Sequence, residues 1–114
     1  MNYPKFVIFR NPDGQFYFRM FNDRNKQLLT GLPCEQRMQC ITAIRQMYAS
    51  VQNDHHFRMQ TAHGQFYYQV TSLQHKVIAK SIMYRTMPGM AFGIDAVKKN
   101  VCVAVIGDCR TVPV

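Results

Sequence analysis

An internal repeat constrains the fold of this chain more than any other feature. The segment Gly14–Phe18 (GQFYF) recurs as Gly64–Tyr68 (GQFYY), and the offset of 50 residues also aligns Ile44 with Ile94. We interpret the chain as two copies of one unit, at about 5–53 and 55–108, within a single domain. Because each copy is too short for a good core of its own, we expect the two to share one core around a pseudo-twofold axis.

Each copy carries the pattern of three strands followed by a helix. Aromatic, alternating runs separated by Gly-, Asn- and Asp-containing turns are typical of a meander. A three-to-four spacing of apolar residues then predicts one helix in each copy, with its apolar face along 40–51 or 90–101. Pro33 and Pro88 are expected near the helix starts, and Thr86 as a cap of the second helix. A short β-type run at 102–106 predicts a final strand. The predicted strands are Phe6–Arg10, Gln15–Phe21 and Gln27–Thr30, then Phe57–Thr61, Gln65–Thr71 and Val77–Lys80.

Three motifs of the second copy resemble those of the YegP-like proteins. They are Gly64–Tyr68, Ser81–Thr86 (SIMYRT) and Gly93–Asn100 (GIDAVKKN). The first copy departs from the pattern, since Cys34 stands where the motif has Tyr and Ala43 where it has Gly.

The resemblance implies an α+β fold, in which two tandem β(3)-α-β units share a single antiparallel sheet. The helices are expected on one face of that sheet, and the C-terminal strands are expected to be exchanged between the units. Some relatives with one unit pair as dimers, so we expect a monomer that mimics such a dimer, or a homodimer. The resemblance implies no definite activity.

The charge balance points to an anionic partner. Fourteen Lys and Arg against six Asp and Glu give a formal net charge of +8, which suits nucleic acid or an acidic protein. No apolar run is long enough for a membrane span, and the first residues lack the apolar stretch of a secretion signal. We therefore expect a cytoplasmic protein with no membrane partner.

Strand alternation predicts a candidate binding face. It places Phe16 and Phe18 towards the core, and Tyr17, Arg19 and Tyr67 on the opposite face of the sheet. Rings and cations on one face can stack bases and hold phosphates, although tyrosines also pair across strands without any ligand. The candidate nucleic-acid or anion-binding residues are Tyr17, Arg19, Tyr67, Arg10 and Arg58, with Lys98 and Lys99 of the second helix adding phosphate contacts.

The remaining reactive residues show no pattern of a metal or catalytic site. The four cysteines form no CxxC, so we expect reduced, buried thiols, and the four histidines are expected in solvated loops. We expect no cofactor and no catalytic residue, and we interpret the chain as a non-catalytic binding module. The alternative is a protein-interaction or stress-associated structural module whose charge serves only solubility. The four cysteines are Cys34, Cys40, Cys102 and Cys109, and the four histidines are His55, His56, His63 and His75.

Overall fold

A computed structural model describes residues 3–108, which form two α-helices and a mixed seven-stranded sheet, an α+β architecture. In chain order the elements are β1 (Lys5–Arg10), β2 (Phe16–Phe21), β3 (Gln27–Gly31), α1 (Arg37–Ser50), β4 (Phe57–Ala62), β5 (Gln65–Thr71), β6 (Val77–Ser81), α2 (Met87–Val101) and β7 (Val105–Asp108). The strands lie in the order β4-β5-β6-β3-β2-β1-β7.

The same turn joins the second and third strands of each half, although different side chains build it. Asn22 accepts hydrogen bonds from the amides of Arg24 and Lys26 through its side-chain oxygen. In the second half, the Ser72 hydroxyl oxygen accepts the corresponding bonds from the amides of Gln74 and Lys76. Both turns also contain a residue with positive φ, Asn25 in one and His75 in the other. Short polar side chains of this kind stabilise tight turns by replacing backbone partners.

Both helices pack on one face of the sheet. Phe6, Phe18 and Met20 from the first half and Tyr68 and Val70 from the second are buried on that face. They form one continuous cluster with apolar residues of α1 and α2, so the two halves share a core. The helical members of the cluster include Cys40, Ile44 and Met47 of α1, and Met90, Val97 and Val101 of α2.

The two meanders meet at the centre of the sheet. Strands β3 and β6 pair antiparallel, with Thr30 opposite Lys80. The register shifts once in each half, between Met20 and Phe21 and between Val70 and Thr71, which indicates a bulge at equivalent places.

The expected antiparallel sheet is wrong at one edge. Strand β7 pairs parallel with β1, with Phe6 opposite Ile106, so the sheet is mixed. This strand also begins at Val105 rather than at Cys102, because α2 continues through Val101 and a turn follows. After α1, residues 54–56 form a short 3-10 turn that leads directly into β4, so no strand lies between α1 and β4.

Candidate functional site

The sheet face opposite the helices, here called the open face, carries a continuous row of paired residues. Arg19 lies between Phe18 and Met20, which are fully buried under the helices, so its side chain belongs to the other face. Successive strand pairs extend the row from this residue across six strands. From β4 to β1 the row reads Arg58, Gln69, Lys80, Thr30, Arg19 and Val7.

In the first half an arginine lies over two stacked rings of the open face. The rings of Phe9 and Tyr17 are parallel within 18°, with their centroids 5.4 Å apart. The Arg19 guanidinium carbon is 5.1 Å from the Phe9 centroid and 5.4 Å from that of Tyr17. Its Nε atom is buried and finds no hydrogen-bond partner among residues 3–108. Cation–π contact with two rings therefore holds this guanidinium.

In the second half a lysine takes the corresponding role. The Lys80 Nζ atom lies 4.7 Å from the ring centroid of Tyr67. Lys80 comes from β6, whereas Arg19 comes from β2, so the two halves place a cation over a tyrosine from different strands. Three strand spacings and the opposed strand directions separate Tyr17 from Tyr67 by about 20 Å.

The charged residues that strands β1 to β6 place on the open face are all basic. Strands β1 to β6 contain no aspartate or glutamate. The basic residues on this face are Lys5, Arg19, Arg58 and Lys80, of which Arg58 and Lys80 are exposed. The Arg58 guanidinium donates to the His75 carbonyl oxygen at 3.4 Å, and Lys5 donates to the Asn25 side chain at 2.8 Å. An anion above the sheet would therefore meet cations and no opposing carboxylate from these strands.

Three of the sequence-predicted site residues lie elsewhere. Arg10 follows the alternation of Phe6 and Ile8, so it belongs to the helix-covered side, where it lies 5.4 Å from the ring centroid of Phe16. Lys98 and Lys99 belong to α2, which packs on that same side. Lys98 forms an ion pair with Asp54 and lies over the ring of Phe57, away from the open face.

The open face does bring together the other four candidates, Tyr17, Arg19, Tyr67 and Arg58. The sequence pattern did not place Lys80 or Phe9 on this face. Lys80 stands 50 residues after Thr30, so the repeat and the strand period together could have placed it there. The contact of Phe9 with Tyr17 depends on the pairing of β1 with β2.

The histidines and cysteines differ in part from expectation. His56 is buried, not solvated, and its Nδ1 atom is 3.1 Å from the Thr71 hydroxyl oxygen. Cys40 is buried, as expected, whereas Cys34 is half-buried and Cys102 is exposed; Cys109 lies outside the described residues. Burial raises the pKa of the Cys40 thiol from 9.0 to about 12, with Cys34 as a further cause. Across residues 3–108, no three His, Cys, Asp or Glu side chains are grouped so as to hold a metal ion.

Within the same described range, neither helix is long and apolar enough to span a bilayer.

Comparison with solved structures identifies the fold. No protein-family model matches the sequence, and no curated protein matches it significantly. The solution structure of the Escherichia coli protein yegP, described as a protein of unknown function, is 23% identical. It aligns over 95% of this chain and 94% of its own, with a TM-score of 0.87.

A second solution structure agrees. A UPF0339 protein from Shewanella oneidensis is 18% identical and aligns over 92% of this chain and 90% of its own, also with a TM-score of 0.87. Identities at this level establish a shared fold and leave activity open. The arrangement of strands and helices thus agrees with that of both neighbours, and the chain has the fold of the YegP-like proteins.

Proposed function

We propose that the chain is a non-catalytic binding module that holds single-stranded nucleic acid on its open face. One observation carries the proposal: two tyrosines, each under a cation, lie on a sheet face whose strands β1 to β6 contain no acidic residue. Aromatic platforms combined with basic side chains are the usual means by which proteins bind single strands without sequence preference.

Each tyrosine–cation pair can contact both the base and the phosphate of a nucleotide. A base stacks on the ring of Tyr17 or Tyr67, both half-exposed, because every base has a flat π-face. The cation that lies over that ring in the free protein moves aside and contacts the adjoining phosphate. Arg19 and Lys80 supply this charge, and Arg58 extends the row of cations to the edge of the sheet.

The spacing of the two pairs sets the length of ligand. We interpret residues 5–53 and 55–108 as tandem repeats within one domain, so that one chain presents two equivalent platforms as a dimer of single repeats would. Because about 20 Å separates the tyrosines, one strand of several nucleotides reaches both. Occupying both platforms with one strand raises the affinity above that of either platform alone.

The experiment is a fluorescence-anisotropy titration with labelled single-stranded RNA and DNA of mixed sequence. An oligonucleotide of about 12 nucleotides lies within the range of known single-strand sites, and a dinucleotide serves as the short control. We expect the Tyr17→Ala, Tyr67→Ala double variant to bind at least about tenfold more weakly, since each lost stack removes about 1–3 kcal/mol. Phe92→Ala, which removes a 74%-exposed ring from α2, is the matched control and should bind as wild type does.

A second set of variants separates the open-face charges from the net charge. Changing Arg19, Arg58 and Lys80 to Gln removes three open-face cations, and changing Arg45, Arg85 and Lys99 to Gln removes three exposed cations from α1, α2 and the segment before α2. The first triple variant should reduce the slope of log K against log salt by about 2, because each phosphate contact contributes about 0.7 on a single strand. Equal effects of the two triple variants, or full binding by the double tyrosine variant, would refute the open-face site.

A further inference from the structure

The two edges of the sheet differ in whether a further strand pairs with them. At one edge β7 pairs along β1, so the outer backbone groups of β1 have partners. At the other edge no strand among residues 3–108 pairs with the outer side of β4. An uncovered edge presents unpaired N–H and C=O groups and is a template for an additional strand.

A groove runs beside this free edge, between β4 and α2. It has a volume of about 290 Å³ and an apolar floor formed by Phe57, Met59, Ala91 and Ile94. Asp54, Asp95 and Lys98 contribute its charged rim, in which Lys98 is paired with Asp54. A free strand edge next to an apolar groove is the arrangement that binds extended peptides by strand addition, where backbone bonds give affinity and the groove selects a side chain.

The occupied edge shows what the free edge lacks. Ile8 and Met59 hold corresponding places, because Ile8 pairs with Phe18 and Met59 with Tyr68, which are 50 residues apart. Ile8, next to the edge that β7 covers, is only 3% exposed, whereas Met59 is 62% exposed. The free edge therefore leaves apolar surface uncovered that is buried at the edge carrying β7.

The helices show the same difference. Ile44 of α1 is fully buried, and its counterpart Ile94 of α2 is only half-buried. Tyr48 of α1 donates to the carbonyl oxygen of Ala104 just before β7, at 3.1 Å. Lys98, 50 residues later, instead binds the Asp54 carboxylate at the start of the 3-10 turn.

We propose that the free edge of β4 binds an extended peptide as an added parallel strand, in which apolar and acidic residues alternate. The orientation follows β7 on β1, and the apolar residues enter the groove against Met59 and Ile94. The intervening residues point to the open-face side, where Arg58 is exposed next to the edge. With a net charge of +8 on the chain, carboxylates are favoured at these positions, and a second copy of the chain is disfavoured by its own charge.

The test uses a labelled octapeptide in which valine alternates with glutamate, titrated by fluorescence anisotropy. Ala91→Glu fills the groove from an exposed helical position, and Phe92→Glu makes the same change of charge on the neighbouring exposed residue outside the groove. We expect Ala91→Glu to weaken binding at least about tenfold and Phe92→Glu to change it less than about twofold, with far-UV circular dichroism confirming that both fold. Met59→Glu, also at an exposed position, provides a second variant of the groove.

Two altered peptides examine the mode of binding. N-methylation of alternate residues removes backbone donors while keeping the side chains, and lysine in place of glutamate reverses the charge; each should bind at least about tenfold more weakly. In NMR spectra, the amides of Phe57–Ala62 should shift most on titration.

Three results would overturn the proposal. The first is absence of saturable binding to wild type, and the second is equal binding by Ala91→Glu. The third is wild-type self-association in sedimentation that Ala91→Glu abolishes, which would assign the edge to a second copy of the chain.

Discussion

The Tyr84 hydroxyl occupies the space in which a β-carbon on residue 93 would lie, so α2 can pass over this ring only with glycine at position 93. Tyr84 is held there by paired backbone hydrogen bonds with Phe66, of 2.7 and 2.8 Å. In the first half, Cys34 makes the same backbone pair with Phe16, and Ala43 stands 50 residues before Gly93. In the first half, therefore, the residue beside the strand is small, Cys34 in place of Tyr84. The helix residue facing it is larger by one methyl group, Ala43 in place of Gly93.

Gly93→Ala should destabilise the protein. The new β-carbon overlaps the Tyr84 ring, and overpacking of this kind lowers the free energy of unfolding by about 1–3 kcal/mol. In a Tyr84→Cys background the same change should stabilise by about 0.5–1 kcal/mol, because alanine is favoured over glycine inside a helix once the overlap is gone. Urea denaturation of the four proteins in the cycle measures the coupling.

Ala43→Gly is the matched control in α1, where it should cost about 0.5–1 kcal/mol from helix propensity alone. Additive effects of Gly93→Ala and Tyr84→Cys would contradict the steric explanation.

Tyr68→Phe should raise the stability of the protein. The Tyr68 side chain is fully buried, and its hydroxyl finds no hydrogen-bond partner among the described residues. The position 50 residues earlier is Phe18, equally buried, so the core accepts a phenylalanine there. Because a buried hydroxyl without a partner costs about 1–3 kcal/mol, we expect a gain of about 1 kcal/mol in chemical denaturation. A loss of stability would mean that the hydroxyl is satisfied.

Alkaline pH should weaken the fold through Cys40. In the unfolded chain its thiol ionises near pKa 9.0, while in the folded protein burial raises that pKa to about 12. The unfolded state therefore loses the proton first, and the free energy of unfolding falls as pH rises from 9.0 to about 12. Burial also raises the pKa of Tyr68, so the decline has more than one source.

Comparison with Cys40→Ala isolates the contribution of the thiol. This variant is less stable at neutral pH because of the cavity, yet its stability should fall less steeply over the same alkaline range. Parallel slopes for variant and wild type would exclude the thiol as a cause.

Tyr48→Phe should loosen the attachment of β7. The change removes the hydrogen bond from the Tyr48 hydroxyl to the Ala104 carbonyl oxygen, which holds the segment that leads into β7. We expect faster amide hydrogen exchange in β7, and a global loss of about 0.5–1.5 kcal/mol. Tyr17→Phe removes the same atom from the open face and should leave exchange in β7 unchanged. Acceleration spread evenly over the sheet would argue against a local role.

The local pattern of the sequence was sufficient for most elements and insufficient at their ends. The run Gln65–Thr71 forms β5 with the predicted bounds, because core-facing and more polar residues alternate along its whole length. Helix α1 begins at Arg37, earlier than the apolar period indicated, because residues 37–39 are exposed and the Gln36 amide donates to the Gln39 side-chain oxygen. The parallel pairing of β7 with β1 joins residues about 100 positions apart, and no local pattern reports it.

For the candidate site, the sequence predicted which face of the sheet a side chain lies on, but not the contacts between residues of different strands. Alternation within a strand correctly separated Tyr17 and Arg19 from Phe18, and the same rule, applied to Ile8, would have excluded Arg10 from the open face. The contact of Lys80 with Tyr67 depends on the register between β6 and β5, which includes the bulge between Val70 and Thr71. The edge of β4 is free because β7 pairs with β1 at the opposite edge of the sheet, and this pairing depends on tertiary packing.

The parallel attachment of β7 has a consequence for synthesis of the chain on the ribosome. Strand β1 precedes the other strands of the sheet in the chain, and its outer edge receives a partner only after Val105 has been made. Until then a meander of aromatic strands carries an unpaired edge, a condition that favours association between nascent chains. Closing that edge requires pairing between residues about 100 positions apart, so we expect docking of β7 to be a late step in folding.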